Sequence, residues 1–99
     1  MPVRWLPLGN DISIATSKEH TFGTDAVLLA HFASPKSGEH GCDLGTGCGI
    51  IPFLWARDRL DINVTGVDCQ ADAIALATES LQALNTPTKL QFITADFRK

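Results

Sequence analysis

Apolar positions along the chain fall into two periodicities. Residues 24 to 33 carry Ala26, Val27, Leu28, Leu29 and Phe32 between Thr24 or Asp25, either of which can cap a helix, and Ser34 with Pro35, which end it. Residues 71 to 84 set Ile74, Ala77, Leu81 and Leu84 at helical spacing, and Asn85 with Pro87 closes that run. Residues 49 to 58 predict a further helix, with Pro52 in the first turn, where its missing N–H has no partner to lose. Between the helices the period shortens to two. His40 to Leu44, residues 61 to 68, and Lys89 to Thr94 read as strands, with Cys42 and Leu44, Ile62 and Val64, and Leu90 and Phe92 as their buried positions. The first 21 residues are turn-rich, with Pro2, Pro7, Gly9 and Asn10; only Ile12 and Ile14 alternate, which suits a flap or an edge strand.

Strands that alternate with helices pair in parallel through right-handed crossovers. The expected fold class is therefore α/β, a Rossmann-like parallel sheet with flanking helices, truncated after its third strand. The strand from His40 to Leu44 is the weakest, because His40 and Gly41 have poor strand propensity. Its neighbours must hold it straight.

Composition narrows the class. A chain of 99 residues, 44% hydrophobic and 19% charged, holds one folded domain at most. Eight Lys and Arg against eleven Asp and Glu leave a net charge of -3, so this segment has no basic field with which to grip a phosphate backbone. The longest largely apolar stretches, 26 to 33 and 49 to 56, fall far short of the roughly 20 residues that a membrane span needs. No membrane partner and no signal peptide are expected. Cys42, Cys48 and Cys69 form no C-x-x-C pair, and His20, His31 and His40 are scattered. They support neither a disulfide framework nor a metal site, and a reducing cytoplasm is the natural setting.

The chemistry concentrates at Asp43-Leu44-Gly45-Thr46-Gly47-Cys48-Gly49, an acidic residue two before a G-x-G-x-G run, between a strand and a helix. Glycine lets the backbone turn sharply and approach a ligand, and the helix N-terminus offers free N–H groups to an anionic end. A dinucleotide fingerprint would need glycine at position 50, which is Ile50, and Asp43 would sit poorly beside a pyrophosphate. NAD is disfavoured. A carboxylate at Asp43 suits a cationic amino group, and the methionine part of S-adenosylmethionine presents that group together with a carboxylate for the loop. Asp68 ends the next strand 23 residues after Gly45, near the spacing at which an acidic residue accepts from both ribose hydroxyls. Asp96 ends the third strand beside Phe97, where a carboxylate can accept from an adenine amino group and an aromatic can lie on the ring. Taken singly, each Asp is an ordinary cap or turn residue; in this order at strand ends they point at one nucleoside. Cys48 reads as a small filler in the loop, since no histidine is placed to activate it.

Residues 43 to 52, reading D-L-G-T-G-C-G-I-I-P, and residues 21 to 30, reading T-F-G-T-D-A-V-L-L-A, resemble the Rossmann-like methyltransferases related to the bacterial tRNA adenine-N6 methyltransferases. The similarity runs over about residues 11 to 97. It implies that Phe22, Gly23, Thr24 and Asp25 close over the methionine end of S-adenosylmethionine, that Asp43, Gly45 and Gly47 contact that end, that Asp68 holds the ribose, and that Asp96 and Phe97 meet the adenine. On this reading residues 1–24 form an N-terminal flap and residues 25–99 the cofactor-binding half of a methyltransferase domain. Enzymes of this kind carry an Asn-Pro-Pro-Tyr type motif after a fourth strand, which presents the target amino group. The 99 residues contain no such motif, so no catalytic residue is assigned, the chain alone is expected to be inactive, and tRNA would be held only by sequence outside it.

Two expectations complete the reading. Without a fourth strand, the strand from His40 to Leu44 is a bare edge, and self-association through it is expected. The acceptor is an exocyclic nitrogen, adenine N6 in tRNA, with a protein glutamine amide as an alternative. From a different class comes a small nucleoside-binding or interaction module without catalysis.

Overall fold

The alternation of strand and helix signals is realised in a computed structural model that describes residues 2–33, 35–36, 38–58, 62–84 and 89–96. Its elements in chain order are β1 (Arg4–Gly9), β2 (Ile12–Thr16), α1 (Thr24–Ala33), β3 (His40–Leu44), α2 (Ile50–Asp58), β4 (Asn63–Asp68), α3 (Ala71–Gln82) and β5 (Lys89–Thr94). β3, β4 and β5 form a parallel sheet in that order, with Leu44, Val67 and Ile93 in register across it. The helix-closing residues Asn85 and Pro87, and the aromatic at Phe97, lie outside the described residues. Among the described residues, no helix is long and apolar enough to cross a membrane.

Both crossovers run in the same direction across the sheet, which puts α2 and α3 on one face. That face carries Gly41, Asp43, Val64, Gly66, Leu90 and Phe92. Phe53 of α2 stacks on Phe92 with ring centroids 5.4 Å apart, and Gly41 lies against the Trp55 ring. The opposite face exposes His40, Cys42, Leu44, Asn63, Lys89, Gln91 and Ile93. Here the structure corrects the sequence reading: Cys42 and Leu44 are exposed, Leu44 at 61%, while Gly41 and Asp43 turn inward. A strand's alternation says that two faces differ, but crossover handedness decides which one the helices cover. Val67 is buried between Leu44 and Ile93, its in-register neighbours.

The N-terminal segment is a hairpin rather than a single strand. β1 and β2 pair antiparallel around Asn10 and Asp11, whose φ values of 51° and 63° are the pair that a type I′ turn requires. Ile12, Ile14 and Ala15 enter the main core beside Phe53, Ile62 and Val64. Three polar contacts fix the hairpin to the helices. Ser80 Oγ of α3 accepts from the Ala15 N–H at 2.7 Å and donates to Leu76 O at 3.0 Å; Arg57 donates to Leu8 O at 3.1 Å; and Asn10 Nδ2 donates to Arg57 O at 3.0 Å.

α1 packs chiefly on α2. Trp55 Nε1 donates to Ala30 O at 2.8 Å inside that contact, and Ala30 is the buried residue of the helix. Leu28, Leu29 and Phe32 are exposed at 53%, 57% and 82%, so the apolar run that predicts this helix turns largely outward.

Candidate functional site

The glycine loop sits where the carboxyl ends of β3 and β4 meet the start of α2. The N–H groups of Gly45 and Thr46 donate to Val67 O at 2.7 and 2.9 Å, which binds the loop to the end of β4. Gly45 and Gly47 have φ of 74° and 58°, the left-handed region open to glycine at little cost, and a Cβ at either would meet nothing within 4 Å. The loop thus presents backbone to open space at a helix N-terminus, a geometry suited to an anionic group.

Asp68 closes the loop from the other side. Its Oδ2 accepts from Gly47 N–H at 2.9 Å and its Oδ1 from Gln70 N–H at 2.9 Å. Gln70, at the N-cap of α3, offers no side-chain cap of its own. One carboxylate therefore fixes both the loop and the entry to α3, and each oxygen keeps a further acceptor position.

Asp43 is the least satisfied group of the set. It is partly buried at the end of β3, in register with Gly66, and its Oδ2 is buried without a hydrogen-bond partner. Burial pushes its carboxyl above the usual range; the Thr46 hydroxyl pulls it partly back, and the Asp68 charge pushes it up again. Thr46 Oγ1 is likewise buried and without a partner, so the two groups influence one another without meeting full hydrogen-bond geometry. A half-buried carboxylate whose buried oxygen has no partner is suited to receive a cation at its outer side.

Asp43, Gly45, Gly47 and Asp68 are thus brought together. Asp96 follows β5 on the same rim, where Ala95 N–H donates to Asp68 O at 3.0 Å and joins the ends of β4 and β5. Phe97 lies outside the described residues. Phe22 packs, partly buried, against the core; Gly23 precedes α1 and Thr24 and Asp25 open it, all three exposed, and α1 is linked to the site through its packing on α2. Cys48 is 2% exposed and burial pushes its thiol up, which suits a filler rather than a nucleophile. Among the described residues, no cluster of His, Cys, Asp and Glu could hold a metal ion.

Sequence reasoning assigned no role to Thr46, although its place between Gly45 and Gly47 was a signal. It also missed the tie between Ser17, His20 and α3. The His20 ring meets Asp72 Oδ2 at 3.0 Å and pulls that carboxyl below its usual value. A cleft of about 400 Å³ opens beside this pair, and a second of about 430 Å³ lies along β1. Both flank the hairpin, away from the glycine loop, which presents its groups to open space.

Residues 13–99 match the methyltransferase small domain family. The tRNA1(Val) (adenine(37)-N6)-methyltransferase of Mannheimia succiniciproducens is 39% identical over 70 residues, covering 70% of this chain and 28% of that protein. The release factor glutamine methyltransferase of Buchnera aphidicola is 43% identical over 42 residues, covering 42% and 15%. A solved SAM-dependent methyltransferase from Thiobacillus denitrificans, in complex with S-adenosyl-L-homocysteine, superposes with a TM-score of 0.61 at 29% identity, over 78% of this chain and 32% of that one. The chain spans about a third of the length of the adenine-N6 relatives it matches.

Proposed function

The chain belongs to the methyltransferase small domain family, and from that premise we propose that it binds S-adenosylmethionine as the cofactor-receiving part of an enzyme that methylates an exocyclic nitrogen, adenine N6 in tRNA. The observation that carries this reading is the pairing of a half-buried Asp43 carboxylate with a glycine loop that exposes its backbone at a helix N-terminus. A ligand with an amino group and a carboxylate on one carbon satisfies both. A pyrophosphate would satisfy the loop and be repelled by Asp43.

In this reading Asp43 accepts from the amino group, Gly45 and Gly47 receive the methionine end, and Asp68 uses its remaining acceptor positions for ribose hydroxyls. Asp96 and Phe97 meet the adenine, and Phe22, Gly23, Thr24 and Asp25 close over the methionine end; the β1–β2 hairpin, expected as part of a flap over residues 1–24, instead packs Ile12, Ile14 and Ala15 into the core of the cofactor-binding half expected over residues 25–99. When bound, S-adenosylmethionine supplies an electrophilic methyl group for direct attack by the acceptor nitrogen. The residues of this chain bind and orient; we assign none of them to the transfer, and we expect no turnover from these 99 residues alone. The same geometry serves a protein glutamine amide as acceptor, and the glutamine methyltransferase match favours keeping that alternative. A cytoplasmic setting follows from the tRNA acceptor, and self-association of the chain from the open edge of β3.

Calorimetric titration with S-adenosylhomocysteine, with NADH as control, tests the cofactor. Saturable binding of the first and not the second is expected. A folded sample that binds neither, or that prefers NADH, would overturn the proposal.

A further inference from the structure

Two buried polar atoms without partners lie under the glycine loop, Asp43 Oδ2 and Thr46 Oγ1. Native folds seldom leave such groups unanswered, because each costs the desolvation of a polar atom with nothing in return. Their surroundings are built around them. Thr46 is 4% exposed, and its backbone is fixed at both ends, with its N–H donating to Val67 O at 2.9 Å and its carbonyl accepting from Gly49 N–H at 2.9 Å. Gly66, the register partner of Asp43, makes room for the hydroxyl: a Cβ there would stand 2.7 Å from Thr46 Oγ1. A hydroxyl sealed under the loop cannot serve a ligand directly, but it can serve a carboxylate that does.

We infer that Thr46 is a positioning residue for Asp43: its buried hydroxyl, in the space Gly66 leaves, supports the inner carboxylate oxygen and leaves the rest of the group for the cationic amino end of a ligand. The inference rests on the cofactor reading above for the ligand, and on this chain's own geometry for the pair. The other charges near the site act differently. Asp68 on β4 repels the Asp43 charge, and the Cys48 thiol is held neutral by burial. Arg57 and Asp58 lie at the far end of α2, Lys89 starts β5 at the far end of the sheet, and Asp96 lies past its near end. Thr46 is the neighbour that favours the charged form. A carboxylate held this way loses its ligand when it takes up a proton, so affinity should have an acid limb set by Asp43.

Thr46→Val removes the hydroxyl at nearly constant shape, and Thr46→Ser keeps it. The readouts are the pH dependence of S-adenosylhomocysteine affinity and the NMR titration of the Asp43 carboxyl carbon in the unliganded chain. In Thr46→Val the acid limb and the carboxyl titration should both move to higher pH. Affinity within that limb should fall roughly tenfold, the worth of one hydrogen bond to a charged group, and Thr46→Ser should restore both. Affinity lost by the same factor at every pH, or an Asp43 titration indifferent to Thr46→Val, overturns the inference. If wild type binds no S-adenosylhomocysteine while the titration still moves, the pairing stands and the cofactor reading fails.

Discussion

Asp68 Oδ2 accepts a hydrogen bond from the backbone N–H of Gly47 at 2.9 Å, so the end of one strand holds the loop that follows another. The second oxygen takes the N–H of Gln70, at the N-cap of α3. Asp68→Ala frees both donors at once. Loss of about 1–3 kcal/mol of stability is expected, chiefly the cost of leaving the partly buried Gly47 N–H unpaired, with Asp68→Asn intermediate because it keeps one acceptor. Urea unfolding measures the loss, and amide exchange locates it: protection should fall at Gly47 and Gln70 before it falls elsewhere.

Ser80 does for the hairpin what Asp68 does for the loop. Its hydroxyl is fully buried and bridges Ala15 N–H and Leu76 O, making the polar joint between β2 and α3. Ser80→Ala leaves a buried N–H with no acceptor and should cost about 1–3 kcal/mol in a denaturant titration. Ser80→Thr, which retains the hydroxyl, should cost less unless its extra methyl overpacks the site. An unchanged midpoint in Ser80→Ala would mean that water replaces the hydroxyl.

Gly66 tests the packing beneath the site. A Cβ there would stand 2.7 Å from both Phe92 Cδ1 and Thr46 Oγ1, too close for either to remain in place. Gly66→Ala should destabilise by about 1–3 kcal/mol through overpacking and also weaken ligand binding, because Thr46 must move. Adding Phe92→Leu relieves the ring contact but not the hydroxyl contact. The double variant should therefore recover stability more than affinity, and equal recovery of both would show that Thr46 does not matter to binding.

What the sequence made legible divides along physical lines. β3 and β5 lie where turn signals and alternation put them, and Asp43, Gly45, Gly47 and Asp68 converge as their spacing at strand ends implies. β1 escaped because Pro7 demotes a strand reading, and because its partner is tertiary rather than local. The Asn10-Asp11 pair between Leu6, Leu8 and Ile12, Ile14 was the available hairpin signal. The exposure of Cys42 and Leu44 depends on crossover handedness, which no single strand encodes. Thr46 stayed hidden because the space for its hydroxyl comes from Gly66, 20 residues further on.

The uncovered surfaces make a prediction about assembly. Among the described residues β3 is at an edge of its sheet, Leu44 and Ile93 are exposed on the face opposite α2 and α3, and Leu28, Leu29 and Phe32 are exposed on α1. An unpaired strand edge beside apolar surface favours association. Sedimentation velocity over a concentration series should show species larger than the monomer, and Leu44→Lys with Phe32→Lys should shift them toward it. A monodisperse monomer at all concentrations would rule out self-association.

Asp43 sets stability against binding, with a sign that can be worked out. Burial and the Asp68 charge raise its carboxyl above the ordinary value of 3.8 despite Thr46. Between the ordinary value and the raised one, the folded chain holds more protons than the unfolded chain, so stability falls as pH rises. The contribution is fully present below 3.8 and is lost as pH passes through the folded value. Above that, Asp43 is a half-buried charge with an unpartnered oxygen, a cost the fold bears. Asp43→Asn removes the charge. Its urea midpoint should exceed that of wild type at pH 7, and the difference should disappear below the ordinary carboxylate value. The same substitution should weaken S-adenosylhomocysteine binding at pH 7, since the neutral amide keeps an acceptor but loses the charge that attracts an ammonium group. A variant that is less stable at pH 7 would show that the Asp43 charge is not the cost argued here, and one that binds as tightly as wild type would show that it is not the receptor.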